Sequence, residues 1–564
     1  MPQDEPLTPV VDLLRRVPLS ARIVLDVGCG RGDLLGAYRR MNPTARLLGI
    51  ERDPVAASVA RTRLTEVAVG EHDCDPLPFD VSDGIDCIVY GAALQHVANP
   101  FEMLRRHADL LSPNGMMLIC VPNVEHWSFV ARLLRGGWDY EDSGLLDRSH
   151  LRWFSLAGMR KNLLEAGLTL CDANPRVFDA EQAGQFVDSM KPALEALGID
   201  PAEYRQRAAP LQYVWRVRKT PQQRLIVAGN MLAPVGGVSH VRVLHPLNTI
   251  ASDPTVTVSV TDRLDIERKN DDQPRIFVLH RPALVGDQGR DLLRRLREGG
   301  WLVVTEFDDH PDFFQIMQDE EQLTFRGVHA VQTSTPALAE VLRRRNPEVA
   351  IFPNAVMTLP DVRNFSDPDS VTLFFGALNR EQDWRDLMPA LNAAAAKSGD
   401  RLRFEVVHDR GFFEALQTPH KAFTPICDYD TYLRLLGQSE ISFMPLQDNA
   451  FNRAKSDLKF VEAAACRVAA LASTVVYGDS IIDGRSGLLF TDADDLREKL
   501  LRLVAMPDLA RQIGDAARDY VKRERMLAYQ VAPRIAWYRS LWARRDQLTA
   551  ALQDRMATPF EHRP

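Results

Sequence analysis

The stretch Ile23-Val24-Leu25-Asp26-Val27 is a short apolar run that breaks into Gly28-x-Gly30-x-Gly32 and then into a helical pattern at Asp33-Leu34-Leu35-Gly36-Ala37-Tyr38. Strand, glycine turn and helix in that order commit the chain to a sheet whose first turn cradles a ligand. Glycine lets the backbone approach that ligand without a Cβ, and the start of the helix offers free N–H groups. The next apolar run, 45–50, ends in Glu51, at the spacing from the glycines where a carboxylate accepts both hydroxyls of a ribose. Strands at 85–90 and 116–121, with a helix at 101–111 between them, continue the alternation. The expected fold is α/β, a parallel sheet with helices on both faces, and ligand atoms gather at the carboxyl ends of its strands.

A dinucleotide fingerprint needs Gly-x-Gly-x-x-Gly, so the tighter spacing here points to S-adenosylmethionine instead. This region resembles class I S-adenosylmethionine-dependent methyltransferases. By that resemblance Asp26, Gly28, Gly30 and Gly32 hold the methionine part, Glu51 the ribose, and Asp73, in Glu71-His72-Asp73, the adenine. Two later stretches, 122–127 and 145–154, are dense in side chains that bind or move protons, and the second is similar to a His-Leu-Arg-Phe-type signature of bacterial methyltransferases associated with glycan assembly. Methylating a hydroxyl requires removal of its proton, for which a neutral histidine suits. His126 and His150 are the candidate bases, and His96 is expected to be structural. The run 211–217 alternates like an edge strand and 219–223 reads as a polar connector, so the first domain is expected over 1–219.

With 564 residues the chain is too long for one core. A formal net charge of -8 gives no general attraction to nucleic acid. The seven cysteines are scattered without any Cys-x-x-Cys pair, which indicates neither a zinc site nor a disulfide framework and fits a reducing cytoplasm. Asp4 and Glu5 precede no apolar h-region, and no run approaches the roughly eighteen apolar residues of a membrane span, so neither export nor spanning is expected.

The pattern restarts at Arg224, with 225–228 leading into the glycine-containing 234–237, and strands at 255–260, 275–279, 301–305, 328–332 and 349–352. A third series runs from 371–376 through 402–407, 440–444 and 468–471. Tandem Rossmann-like domains form a cleft, and with 364–370 as the hinge this arrangement is similar to the GT-B glycosyltransferase fold. The expected boundaries are 224–363 for the acceptor domain, 364–510 for the nucleotide-sugar donor domain and 511–564 for a terminal helical segment.

At 100° per residue Lys455, Lys459 and Glu462 share one face of a helix read through 452–465. Lysines at a helix start suit a diphosphate, and a glutamate one turn on can accept ribose hydroxyls. The pattern resembles retaining GT-B glycosyltransferases that build bacterial polysaccharides. By that resemblance Arg380 joins Arg453 and Lys455 at the diphosphate of a nucleotide-sugar, and Glu462 is the second glutamate of a Glu-x7-Glu motif whose first place holds Ala454. From the facing domain His280, and Asp308 with Asp309, are expected at the cleft mouth, Asp309 activating or orienting an acceptor hydroxyl. Adjacent carboxylates on a strand end point apart, so no metal is expected.

The tail at 506–556 interleaves aromatics with arginines. It is expected to pack on the protein, while the same pattern suits peripheral contact with the inner face of a membrane. The sequence therefore reads as a methyltransferase fused to a glycosyltransferase, acting on a glycan or lipid-linked saccharide. Rival readings are natural-product tailoring, or a methyltransferase carrying a non-catalytic glycan- or nucleotide-binding half. Donor sugar, methylated position and oligomeric state are not written in these motifs.

Overall fold

A computed structural model of the protein describes residues 9–142, 144–232, 237–261, 272–317, 321–363 and 370–560. The chain divides into two compact units, one of Met1–Arg39, Pro43–Gln223 and Ser252–Thr255, the other of Arg40–Asn42, Arg224–Ala251 and Val256–Pro564.

The first unit is built on seven strands: β1 (Ile23–Val27), β2 (Arg46–Glu51), β3 (Glu66–Val69), β4 (Ile85–Tyr90), β5 (Leu111–Pro122), β6 (Thr169–Arg176) and β7 (Gln212–Arg218). Their order is β3-β2-β1-β4-β5-β7-β6. The sheet is parallel except at β7, which runs antiparallel to both of its neighbours. The chain order reverses between β1 and β4, which opens a crevice at their carboxyl ends. Leu25, Val27, Ile88 and Tyr90 are fully buried there, their inner rows packed by helices. Strand 211–217, expected at an edge, lies inside the sheet, because β6 pairs with its outer side. Arg216 is the residue that made it look edge-like: this arginine is buried and bidentate to Asp172 of β6, at 3.0 and 2.6 Å.

The second unit holds two six-stranded parallel sheets. The first contains β8 (Leu225–Asn230), β9 (Val256–Thr261), β10 (Arg275–His280), β11 (Leu302–Glu306), β12 (Ala330–Thr333) and β13 (Val349–Ile351), ordered β13-β12-β11-β10-β8-β9. The other contains β14 (Val371–Gly376), β15 (Leu402–Val407), β16 (Lys421–Thr424), β17 (Ile441–Met444), β18 (Ala469–Ser473) and β19 (Leu488–Phe490), ordered β16-β15-β14-β17-β18-β19. Each sheet has its own core; in the second, Phe375 stacks on Phe412 with ring centroids 3.9 Å apart. Most of the 234–237 turn and of the expected hinge at 364–370 lies outside the described residues.

The chain finishes in helices Pro507–Glu524, Ala528–Ala543 and Arg545–Ala557. The middle one returns to the first sheet of its unit: Trp537 packs against Phe352 at 5.6 Å and the Tyr538 hydroxyl donates to Gln332 at 2.9 Å. Ile535, Tyr538 and Leu541 are buried by this packing. Among the described residues no helix is long and apolar enough to cross a membrane.

Candidate active sites

In the first unit the glycine turn has the backbone its sequence demands. Gly28, Gly30 and Gly32 have φ of 76°, 55° and 77°, where side-chain-bearing residues are strained. A Cβ on Gly28 would sit 3.3 Å from His72 Nε2, so the space above the turn is kept by the missing side chain. The N–H of Gly28 donates to the Ile50 carbonyl at 2.9 Å, and the N–H of Gly30 to Glu51 Oε2 at 2.7 Å. Glu51 also accepts from the Asp53 N–H at 3.0 Å, and Asp53 caps the helix Pro54–Ala60. Beneath the turn Asp26 is buried, and burial followed by the nearby Glu51 charge pushes its carboxyl up to about 7.

A cavity of about 610 Å³ opens beside this turn, lined by Gly28, Glu51, Glu71, His72, His96 and Ser149 among others. Asp73 is not in its lining. That residue is exposed, and its carbonyl accepts from Arg106, while its neighbours Glu71 and His72 face the cavity.

The two histidines proposed as bases separate. His126 caps the helix Trp127–Leu134, its Nδ1 accepting from the Ser128 N–H at 3.4 Å and bonding the Ser128 hydroxyl at 2.8 Å, and it does not line the cavity. His150 is buried with an unpartnered Nδ1, and its ring meets that of His96 at 5.1 Å. Burial, then the His96 charge, lowers the pKa of His150. His96, expected to be structural, is the one that lines the cavity, with His72 on its other side at 6.4 Å. The signal was its place in Leu94-Gln95-His96 at the carboxyl end of β4.

In the second unit a cavity of about 330 Å³ lies between the two sheets. Arg380, Lys455, Lys459 and Glu462 all line it, joined by Arg281 and Asp308. The helix expected to carry the cluster is broken: a single turn, Ala450–Arg453, stops before Ala454, and a new helix, Leu458–Ala465, starts after Asp457. Lys455 therefore reaches the cavity from a loop, whereas Lys459 and Glu462 do so from the helix. Arg453 does not reach it. Placed at the end of the short turn, Arg453 is surface-exposed and paired with Asp448 through Nη2 at 2.9 Å.

Lys459 donates to the Gly376 carbonyl, and burial brings its ammonium down to about 8. Glu462 accepts from the Tyr429 hydroxyl at 2.7 Å, and burial raises its carboxyl against the opposing pull of that bond and of Lys459. Arg380 donates to Asp383 at 3.2 Å and to Asn452 at 3.1 Å. The Ser456–Asp457 pair is anchored from behind: Asn354 donates to Ser456 at 2.6 Å, and Arg525 grips both oxygens of Asp457 at 2.6 Å.

From the facing sheet Asp308 and Asp309 arrive already paired. Arg281 Nε donates to Asp308 at 2.6 Å, and although burial opposes it, that guanidinium holds the Asp308 carboxyl below its usual range. Lys455 Nζ donates to Asp309 Oδ1 at 2.7 Å. His280 is 3 % exposed, with neither ring nitrogen bonded, and burial lowers it to about 4; it lies behind the cavity wall rather than in the lining. Ala454 is 4 % exposed and packs into the core of the first sheet. Sequence reasoning missed Tyr429 and Tyr432, whose i, i+3 spacing on helix Tyr429–Gly437 puts both in the lining. Among the described residues no group of carboxylates, histidines and cysteines could hold a metal.

Residues 5–173 match the family model described as a methyltransferase domain, and residues 385–534 match the one described as glycosyl transferase-like. Trans-aconitate 2-methyltransferase of Escherichia coli is 30% identical over 139 residues, 24% of this chain and 54% of that protein. The chain thus spans about half the length of the curated relatives it matches. Among solved structures, sucrose-phosphate synthase of Thermosynechococcus elongatus is similar with a TM-score of 0.42 and 16% identity, over 57% of this chain and 100% of that one. Anabaena HepE in complex with UDP-glucose gives 0.41 and 10%, over 55% and 99%.

Proposed function

We propose that this chain, a methyltransferase by its N-terminal domain and a glycosyltransferase by its C-terminal domain, is a bifunctional enzyme of bacterial surface polysaccharide or glycan synthesis. Its first domain transfers a methyl group from S-adenosylmethionine to a sugar hydroxyl. Its second transfers a sugar from a nucleotide-diphosphate sugar to a glycan or lipid-linked saccharide.

One observation carries this reading: Arg380, Lys455, Lys459 and Glu462 converge on one cavity of the second unit. The three cations suit a diphosphate and need no metal to stabilise the charge that grows on it when the glycosidic bond breaks. Glu462 spends one oxygen on Tyr429, leaving the other for a ribose hydroxyl. In the first unit the glycine turn leaves room for the methionine part, with Asp26 below it and Glu51 beside it. S-adenosylmethionine supplies an electrophilic methyl group there, and the protein's own task is to place the acceptor and take its proton.

The curated relative is named for trans-aconitate, a polyanionic acceptor. Glu51, Asp53 and Glu71 line the methyltransferase cavity, with Arg52 already paired to Glu71 at 3.0 Å, and such a rim favours a neutral hydroxyl acceptor. A second reading keeps the C-terminal half as a binding module without turnover. It is favoured by Ala454, which occupies the place of a glutamate in the resembled motif and lies buried in the facing core.

The test is a thermal-shift panel of nucleotides and nucleotide-sugars on the parental chain and Glu462→Ala, with S-adenosylhomocysteine as control for the first domain. A ligand at a hundred times its Kd stabilises by about 2.7 kcal/mol. A nucleotide-sugar that shifts the parental chain alone, and is consumed with an added saccharide, supports transfer. Binding without consumption supports the module. Sedimentation with anionic liposomes tests a peripheral membrane role, which wholly unbound protein at low salt would rule out.

A further inference from the structure

We infer that His96 is the general base of the methyl transfer, with its tautomer set in advance by the backbone carbonyl of Ser149. The inference rests on the hydroxyl acceptor proposed above, and it moves the role from His126 and His150 to a residue that neither motif contains.

Position comes first. His96 closes the short 3-10 turn Leu94–His96 that follows β4, on the side of the crevice where the sheet order reverses. It lines the same cavity as Gly28 and Glu51. A base must lie within hydrogen-bond reach of the proton it removes, and of the five histidines of the first unit, His72, His96, His107, His126 and His150, His72 and His96 line the cavity. His72 lies over the glycine turn, 3.3 Å from where a Gly28 Cβ would be, and so sits on the cofactor side.

Tautomer comes second. His96 Nδ1 is 3.1 Å from the Ser149 carbonyl oxygen. A carbonyl only accepts, so Nδ1 carries the hydrogen and Nε2 of the neutral ring carries the lone pair. The carbonyl is itself held in place. Leu151 and Arg152 both donate their N–H to the Gln95 carbonyl, at 2.7 and 3.2 Å, which clamps the 145–154 segment onto the turn that bears His96. Ser149 in turn donates its N–H to Asp147 at 2.8 Å. Ser149 thereby contributes a backbone acceptor and Leu151 and Arg152 two backbone donors, while the His150 ring packs edge-on against His96 at 5.1 Å and fixes its plane.

The step balances as follows. The acceptor oxygen forms its bond to the methyl carbon as the carbon–sulfur bond breaks and its electron pair returns to sulfur. The hydroxyl proton passes to His96 Nε2, giving an imidazolium whose Nδ1 hydrogen bond to Ser149 strengthens. The groups that face this ring are His72, His150, the Ser149 carbonyl and, at longer range, the Asp147 carboxylate.

The experiment uses the full chain and the variants His96→Gln, His126→Gln and His150→Gln. Isothermal titration with S-adenosylhomocysteine first confirms that each variant is folded and loaded; His96→Gln keeps the parental Kd. Diethylpyrocarbonate with peptide mass spectrometry then reads the free lone pair without turnover, and His96 is carbethoxylated ahead of His126 and His150. Finally, methyl transfer is measured on a panel of free and lipid-linked saccharides. His96→Gln lowers kcat by roughly 10²–10⁴-fold with KM unchanged, His126→Gln stays within about tenfold, and His150→Gln, which removes the ring packed against His96, falls between the two. A hydroxyl acceptor methylated by His96→Gln at the parental rate overturns the inference and leaves O-methylation standing. A parental chain that methylates carboxylates and no hydroxyl overturns both, since a carboxylate has no proton to lose. Resistance of His96 to the reagent overturns the tautomer.

Discussion

Replacing Asp309 with Asn tests whether the cations of the cleft are held in check before a nucleotide arrives. Lys455 Nζ lies 2.7 Å from Asp309 Oδ1, and the two side chains are 18% and 11% exposed. Two unit charges at about 4 Å attract by ~4 kcal/mol at an effective dielectric of about 20. Arg281, 3.7 Å from the same carboxylate, shares that attraction, and water at the cavity mouth reduces it. The net hold on Lys455 falls between the exposed limit of about 1 kcal/mol and the buried limit of about 3–5 kcal/mol, near 1.4–2.8 kcal/mol. A diphosphate has to draw Lys455 off this partner. With asparagine the competition disappears, and a nucleoside diphosphate binds about 10–100-fold tighter. Isothermal titration of UDP, GDP and TDP into both proteins measures this without turnover. The ligand-free variant melts lower, because Lys455 then carries an unpaired, largely buried charge, and the nucleotide restores it. Equal or weaker nucleotide affinity in Asp309→Asn would refute the reasoning, since it would mean that Lys455 does not meet the diphosphate.

Asp26, pushed up to about 7, binds its proton more tightly in the folded state than in the unfolded one. Stability of the first unit therefore falls as pH rises from ~4 towards 7. Asp26→Asn removes that slope, raises the melting temperature at pH 8 and weakens S-adenosylhomocysteine binding; calorimetry at pH 5 and 8 showing the parental slope would contradict this. Lys459 is lowered to about 8, so the folded state binds its proton less tightly than the unfolded chain does, and the cost of its buried charge is relieved as pH climbs from 8 towards ~10.4. Nucleotide affinity follows the opposite course, falling above pH 8, and Lys459→Arg flattens that limb in a titration series. Arg525→Met leaves Asp457 without its bidentate partner in a site where the two side chains are 11% and 10% exposed, and destabilises the second unit by about 3–5 kcal/mol. A thermal unfolding midpoint within a degree of the parental value would show that the Ser480 hydroxyl, which also donates to Asp457, suffices together with solvent.

The elements most legible in the sequence were those whose pattern is local. The Gly28-x-Gly30-x-Gly32 turn has positive φ at each glycine, and strands β4, β14 and β15 fall where their apolar runs lie. What was misread depended on partners distant in sequence. β7 looked like an edge because Arg216 alternates with apolar residues, and Asp172, on a strand with weak hydrophobic periodicity, together with the Ser252 carbonyl explains how that arginine is buried. Helical spacing put Lys455 beside Lys459. The break at Ala454 comes instead from that alanine being drawn into the core of the facing sheet, which periodicity cannot register. Arg453 and His280 share one cause: a charged or polar residue next to a site in sequence was taken to face it, and local geometry turned Arg453 to Asp448 and His280 into the interior. His96 was passed over because its meaning lies in a carbonyl, Ser149, that carries no side-chain signature.

The place of β7 sets a schedule for synthesis. Its backbone bonds with β5 on one side and β6 on the other, from Gln212 to Arg218, so the sheet that bears the glycine turn stays open until the ribosome has released those residues. Until then β5, from Met116 to Pro122, presents an unsatisfied apolar ladder to solvent. A nascent chain that has exposed every residue of the cofactor turn is still unfinished, and a shortened transcript ending before codon 212 would yield a sticky fragment rather than a small methyltransferase.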